Sequence, residues 1–180
     1  MSTGIAEWYS PVVPGSGLHP RPGSAESLKE FFSEVDPLWE TVVYPSRKGE
    51  TVEELHNRID ALLPAFASAL AQRLPLEKRK KILLVSHAAT VIALLRSLLG
   101  DRELPMKVGC CSLSIVDGKT GTDSEGDVEK VQMIGAYKPV MLVSGDHLTG
   151  GSSREWGFED IEVDKGRVGV VPGPLLDSGL

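Results

Sequence analysis

The sequence predicts an α/β fold, and three features carry that prediction. Ile82 to Val85 is a short, unbroken apolar run, the pattern of a strand buried on both faces, and it leads within a few residues into the helix-forming run Ala88 to Leu99. Thr51 to Leu70 repeats apolar residues at helical spacing. Beyond Lys107 the chain turns to β-like runs parted by polar loops. A length of 180 residues suits one domain with a sizeable core. The domain is expected over residues 1–162, with a Gly- and Pro-containing flexible tail over 163–180.

In chain order, Met1 to Tyr9 has neither the basic start nor the apolar centre of a signal peptide, and so abrupt an opening predicts a truncated domain. Pro11 to Pro22, with four prolines and two glycines, reads as an irregular loop. Ser24 or Ser27 caps a short helix through Phe32, Leu38 to Tyr44 is a short segment of open type, and Pro45 to Gly49 is a turn. Thr51 and Glu54 form a T-x-x-E capping box at the head of the clearest helix. Its apolar stripe is Val52, Leu55, Ile59, Leu62, Phe66 and Leu70; Pro64 predicts a kink or a split, and His56 and Arg58, off the stripe, are placed on the surface. Gly100 supplies the left-handed residue that ends the helix after His87. Cys110 to Val116, Val128 to Ile134 and Val140 to Val143 are candidate strands, Asp117 to Asp127 is a polar loop, and Trp156 with Phe158 anchors a last segment.

The composition, 41% hydrophobic and 24% charged, is that of an ordinary globular chain with no apolar run long enough to span a membrane. A net charge of −6 argues against direct nucleic-acid binding, which needs a basic face. The basic run Lys78 to Lys81 reads as a solvated connection rather than a nuclear address. Cys110 and Cys111 are adjacent, so they neither staple distant segments nor have metal-site spacing. No metal site or cofactor is predicted, and an intracellular compartment, cytoplasmic or nuclear, is expected.

His87 falls at the carboxyl end of the predicted strand, where open α/β sheets place ligands, and at the head of a helix whose first N–H groups favour an anion. A lone histidine there is also commonly a hydrogen-bonded structural residue, and local context leaves both readings open. Glu7 lies among Ile5, Trp8 and Tyr9, bulky groups that would partly desolvate a carboxyl, as a general acid needs; the plainer account is a surface glutamate beside a packing tryptophan. His147 reads as a loop histidine without a second ligand at metal spacing. Ser86 lacks the G-x-S-x-G elbow of a serine hydrolase.

Taken together, Gly4-Ile-Ala-Glu7-Trp-Tyr9, Lys48-Gly-Glu-Thr51, Val85-Ser-His87-Ala-Ala89 and Cys111-Ser-Leu113 resemble the histidine phosphatase (phosphoglycerate mutase-like) superfamily. Within it they resemble the group of phosphatase-like tau subunits of fungal transcription factor IIIC. The resemblance implies the C-terminal portion of a three-layer α/β/α fold, lacking its central N-terminal strand. It also implies a reaction in which a first histidine, in an Arg-His-Gly motif, takes the phosphoryl group, with arginines nearby holding its oxygens. His87 then matches the second histidine, binding the phosphoryl group together with the backbone of Ala88, and Glu7 matches the acid that protonates the leaving oxygen. Phosphoryl transfer is mostly positioning and charge stabilisation, which suits these roles.

No Arg-His-Gly occurs in the sequence, so a truncated member with little or no phosphatase activity of its own is expected. Its partner would be a phosphorylated small molecule or a phosphoprotein where the nucleophile-bearing half is supplied. The alternative is a non-catalytic interaction module of an RNA polymerase III assembly, with protein partners, no nucleic acid and no membrane. Loss of the central strand would leave Ile82 to Val85 as an exposed apolar edge, an aggregation liability.

Overall fold

The structure, a computed structural model, describes residues 3–79, 81–119 and 133–161. The expected tail, the polar loop from Thr120 onward and the first part of the run Val128 to Ile134 lie outside the described residues. In chain order the elements are a short 3₁₀ turn (Thr3–Ile5), α1 (Ala25–Lys29), α2 (Val52–Arg73), α3 (Leu76–Arg79), α4 (Ala88–Leu99), β1 (Val108–Cys110), β2 (Leu113–Gly118), β3 (Tyr137–Ser144), β4 (Ser153–Trp156) and a 3₁₀ turn (Phe158–Asp160). This is mixed α/β content, as expected. Among the described residues the strands form two antiparallel pairs, β1 with β4 and β2 with β3. In the first, Val108 faces Trp156; in the second, Leu113 faces Ser144 and Gly118 faces Tyr137, with bulges between.

Local chemistry accounts for the helices. Ser24 caps α1, accepting from the Ser27 N–H at 3.1 Å, and the helix stops at Lys29, short of Phe32. At α2 the capping box closes reciprocally: the Glu54 N–H donates to Thr51 Oγ1 (3.1 Å) and the Thr51 N–H to Glu54 Oε2 (2.8 Å). The helix runs unbroken through Pro64, so the expected split does not occur. Pro64 stands on the exposed side, where water reaches the carbonyl that its missing N–H leaves unpaired. Gly100 ends α4 at φ +77°, its N–H shared between the Arg96 and Ser97 carbonyls.

The core is the seam between α2 and α4. Leu55, Ile59, Leu62 and Leu63 meet Ala89, Ala93, Leu94 and Leu98, all buried. The small residues of α4 allow a close approach to the leucines of α2. At one end of the seam Trp8, Trp156 and Phe158 form an aromatic cluster, with centroids 5.5–6.4 Å apart, that fastens the amino-terminal segment and β4 to the helices.

Two expectations are corrected. His56 and Arg58 are buried, not surface residues. They lie off the α2–α4 stripe but face a second layer, built from the Gly4–Tyr9 segment and Phe158, that helical periodicity does not register. Arg58 Nε meets both Glu50 carboxylate oxygens at 2.8 and 2.9 Å, and its Nη1 donates to the Gly4 carbonyl. The second correction is Lys81–Ser86: no ladder forms there, and the segment is not buried on both faces. Leu83 and Val85 are 79% and 77% exposed, because no neighbouring strand among the described residues pairs with this stretch. The run Cys110 to Val116 is likewise broken, at Cys111, whose φ of +59° turns the chain between β1 and β2.

Arg58→Met leaves the Glu50 carboxylate buried without its cation, so urea unfolding is expected to show a loss of about 3–5 kcal/mol. A second test uses pH. Burial lowers the His56 imidazole below its ordinary value of 6.5, so the unfolded chain takes up this proton first on acidification. Stability that is present above the ordinary value is lost as the pH falls below it. In His56→Leu, Tm measured from pH 7 to pH 5 is expected to fall less steeply than in the unaltered protein.

Candidate functional site

Glu7 lies on an irregular segment that is tied down carbonyl by carbonyl. The Gly4 carbonyl accepts from Arg58, the Ile5 carbonyl from the Ser86 hydroxyl at 2.5 Å, and the Ala6 carbonyl from the Thr90 hydroxyl at 2.9 Å. Ser86 and Thr90 flank the head of α4, so these bonds place Glu7 beside His87. Further along, the Trp8 indole donates to the Glu50 carbonyl (2.8 Å) and the Glu50 N–H to the Tyr9 carbonyl (2.9 Å). Gly49 makes this crossing possible: at φ +84°, a Cβ there would lie 2.1 Å from the Ser10 carbonyl oxygen.

His87 is the N-cap of α4, with extended backbone and no capping bond from its side chain, so its ring is free to face outward. The first-turn N–H groups, beginning at Ala88, have no intrahelical acceptor and give this end of the helix its partial positive charge. His87 Nδ1 lies 3.9 Å from Glu7 Oε1, with the two side chains 58% and 49% exposed. Both line a cavity of about 790 Å³. Its lining includes the apolar Leu62, Leu63 and Phe66 of α2 and Leu94 of α4, and also Arg21 and Arg47.

The structure therefore brings together the residues singled out in the sequence, Glu7, His87 and Ala88. Trp8 packs against the core, while the Glu7 side chain stays half-exposed on the cavity. There the Tyr9 hydroxyl donates to Glu7 Oε2 at 3.3 Å, and Tyr9 stacks on His19 with ring centroids 4.5 Å apart. Partial desolvation, then the Glu7 charge and this hydrogen bond, raise the Tyr9 phenol above its ordinary pKa.

Tyr9, Arg21 and Arg47 were not picked out as site residues from the sequence. Arg47 precedes the Lys48-Gly-Glu-Thr51 motif, a signal that was present, whereas Arg21 lies in a proline-rich loop with none. Arg21 donates to the Pro45 carbonyl (3.1 Å) and Arg47 to the His19 carbonyl (3.0 Å), which leaves other guanidinium N–H groups on each for a ligand. Of the other histidines, His19 sits against the Ser10 carbonyl at 2.9 Å, His56 is buried against Phe158, and His147 lies in an exposed turn. None of these three lines the cavity, and no metal-binding cluster exists among the described residues. Cys110 and Cys111 are unpaired thiols. No helix among the described residues is long and apolar enough to cross a membrane.

The site thus presents an imidazole beside a carboxylate, at the head of α4 and on the lining of a cavity. Residues 19–125, more than half of the chain, match the histidine phosphatase superfamily (branch 1), and the chain belongs to that superfamily. The match takes in His87 and begins after Glu7. The chain is also 30% identical, over 177 residues, to the transcription factor tau 55 kDa subunit of Saccharomyces cerevisiae. That alignment covers 88% of this chain and 40% of the relative, so the chain spans about two fifths of the relative's length.

Removing both side-chain tethers, in Ser86→Ala with Thr90→Val, is expected to cost about 1–3 kcal/mol from two hydrogen bonds. Amide hydrogen exchange at Ile5 to Glu7 should rise by more than global destabilisation alone accounts for.

Proposed function

We propose that this chain is a phosphatase-fold module that receives a phosphoryl group at Glu7, His87 and the Ala88 backbone but does not by itself turn over phosphomonoesters. One observation carries the reading: Glu7 and His87 stand 3.9 Å apart on a shared cavity that no second imidazole lines. In this reading His87 and the head of α4 stabilise the charge on the phosphoryl oxygens, and Glu7 is the acid on the leaving-group side. General acid catalysis contributes typically ~10²–10⁴-fold, but only to a reaction that a nucleophile has begun. The sequence contains no Arg-His-Gly to supply that nucleophile. The module is taken as residues 1–162, with residues 163–180 as its tail.

A second reading, non-catalytic assembly within a transcription factor IIIC-type complex in the nucleus, is supported by the similarity to a transcription factor tau subunit and by the exposed apolar segment before His87. Protein surfaces rather than DNA are the partners this reading assigns, since the chain carries a net charge of −6.

Both halves of the first reading are measurable. Hydrolysis of p-nitrophenyl phosphate is expected to stay at the uncatalysed background, while titration with inorganic phosphate or vanadate should show binding that weakens at least tenfold in His87→Ala. Enzyme-like turnover that His87→Ala abolishes would refute the inactivity; no anion binding at all would refute the receiving site.

A further inference from the structure

Cys110 and Cys111 take no part in the site described above. Inside a strand, consecutive side chains go to opposite faces. Here both residues are exposed, because β1 ends at Cys110 and the chain turns. The Ser112 N–H donates to the Gly109 carbonyl at 3.2 Å, which closes a turn with the two cysteines at its corners. Cys111 holds φ +59° at the corner where glycine or asparagine is the usual occupant. Both sides of this turn are fixed by the sheets: Cys110 is opposite Ser153 of β4, and Leu113 is opposite Ser144 of β3.

Two adjacent thiols can combine with each other or with a common partner, and geometry separates the two. Neighbouring Cα atoms lie about 3.8 Å apart, short of the ~4.4–6.8 Å that a disulfide ordinarily spans. A direct disulfide at this turn is therefore strained. A bridging atom removes the need for the sulfurs to touch, since each Sγ is one torsion from the backbone and both can turn toward one centre in solvent. Zinc does not suit that centre, because a structural zinc site takes a full tetrahedron of donors. Among the described residues no third His, Cys, Asp or Glu completes a cluster with the pair. Two thiolates alone satisfy a soft ion of low coordination number, and thiolate donors select monovalent copper.

We propose that Cys110 and Cys111 together form a two-thiolate site for monovalent copper, one ion per chain. Binding makes two copper–sulfur bonds, each thiol gives up its proton to solvent, and no electron is transferred. The inference is independent of the phosphoryl and assembly readings, so its failure leaves both unchanged.

The test is anaerobic titration of the reduced protein with Cu(I) held by the chromogenic chelator bathocuproine disulfonate, read by loss of the chelator's colour. The expected result is transfer of one copper per chain, with a new thiolate-to-copper absorption in the ultraviolet. Cys110→Ser and Cys111→Ser should each weaken binding at least about a hundredfold, because the second thiolate acts at the high effective concentration of an intramolecular ligand. Both side chains are exposed, so neither change should shift Tm. Blocking both thiols of the unaltered protein with iodoacetamide should abolish the transfer, which keeps the outcome readable where a variant fails to fold. Unchanged affinity in either single variant overturns the proposal, since one thiol then suffices. No transfer at all overturns it too. So does one copper per two chains with a rise in molecular mass, which assigns the ion to thiols of two copies.

Discussion

The buried pair between Glu50 and Arg58 holds two otherwise separate parts of the molecule in register. Glu50 is the last residue before the cap of α2, and Arg58 lies two turns into that helix, so their pairing folds the helix entrance back on itself. From there Arg58 reaches the Gly4 carbonyl, while the Glu50 backbone accepts from the Trp8 indole and donates to the Tyr9 carbonyl. A charged pair taken out of water adds net stability only when its remaining hydrogen-bonding capacity is met. Here part of that capacity is met by the Gly4–Tyr9 segment, which is irregular beyond its opening 3₁₀ turn. The pair is better regarded as a clamp on Gly4–Tyr9 than as a source of stability.

With that segment clamped, the site follows from geometry. Three consecutive carbonyls are taken by side chains from α2, from the residue before His87 and from α4. Glu7 is then carried to the head of α4 with its carboxylate facing outward, since Trp8 has committed the opposite side to the aromatic cluster. The resulting pair is exposed and polar, on a cavity lined by apolar side chains of α2 and α4 and also by Arg21 and Arg47.

Much of this was legible in the sequence, for identifiable reasons. The capping box of α2, the glycine that ends α4 and the serine that begins α1 are local interactions, decided within four or five residues. The apolar stripe of α2 identified most of the buried face correctly, because a 3.6-residue period reports one-sided burial directly. That His87 heads a helix followed from the change of pattern at Ala88. Where reading failed, the deciding partner was remote. Arg58 is buried because Glu50 and Gly4 meet it, and its spacing from Glu50 is no helical neighbour relation.

Residue order alone determined the heads of α1, α2 and α4, the glycine that ends α4 and which side of α2 is apolar, and it singled out His87 and Glu7 as candidate groups. Tertiary structure decided that those two groups meet, since eighty residues separate them and only hydrogen bonds across that separation set their distance. It also decided the state of Ile82 to Val85. An apolar run specifies a preference for burial, but a strand exists only when a neighbour accepts its backbone, and that is a property of the surroundings rather than of the run.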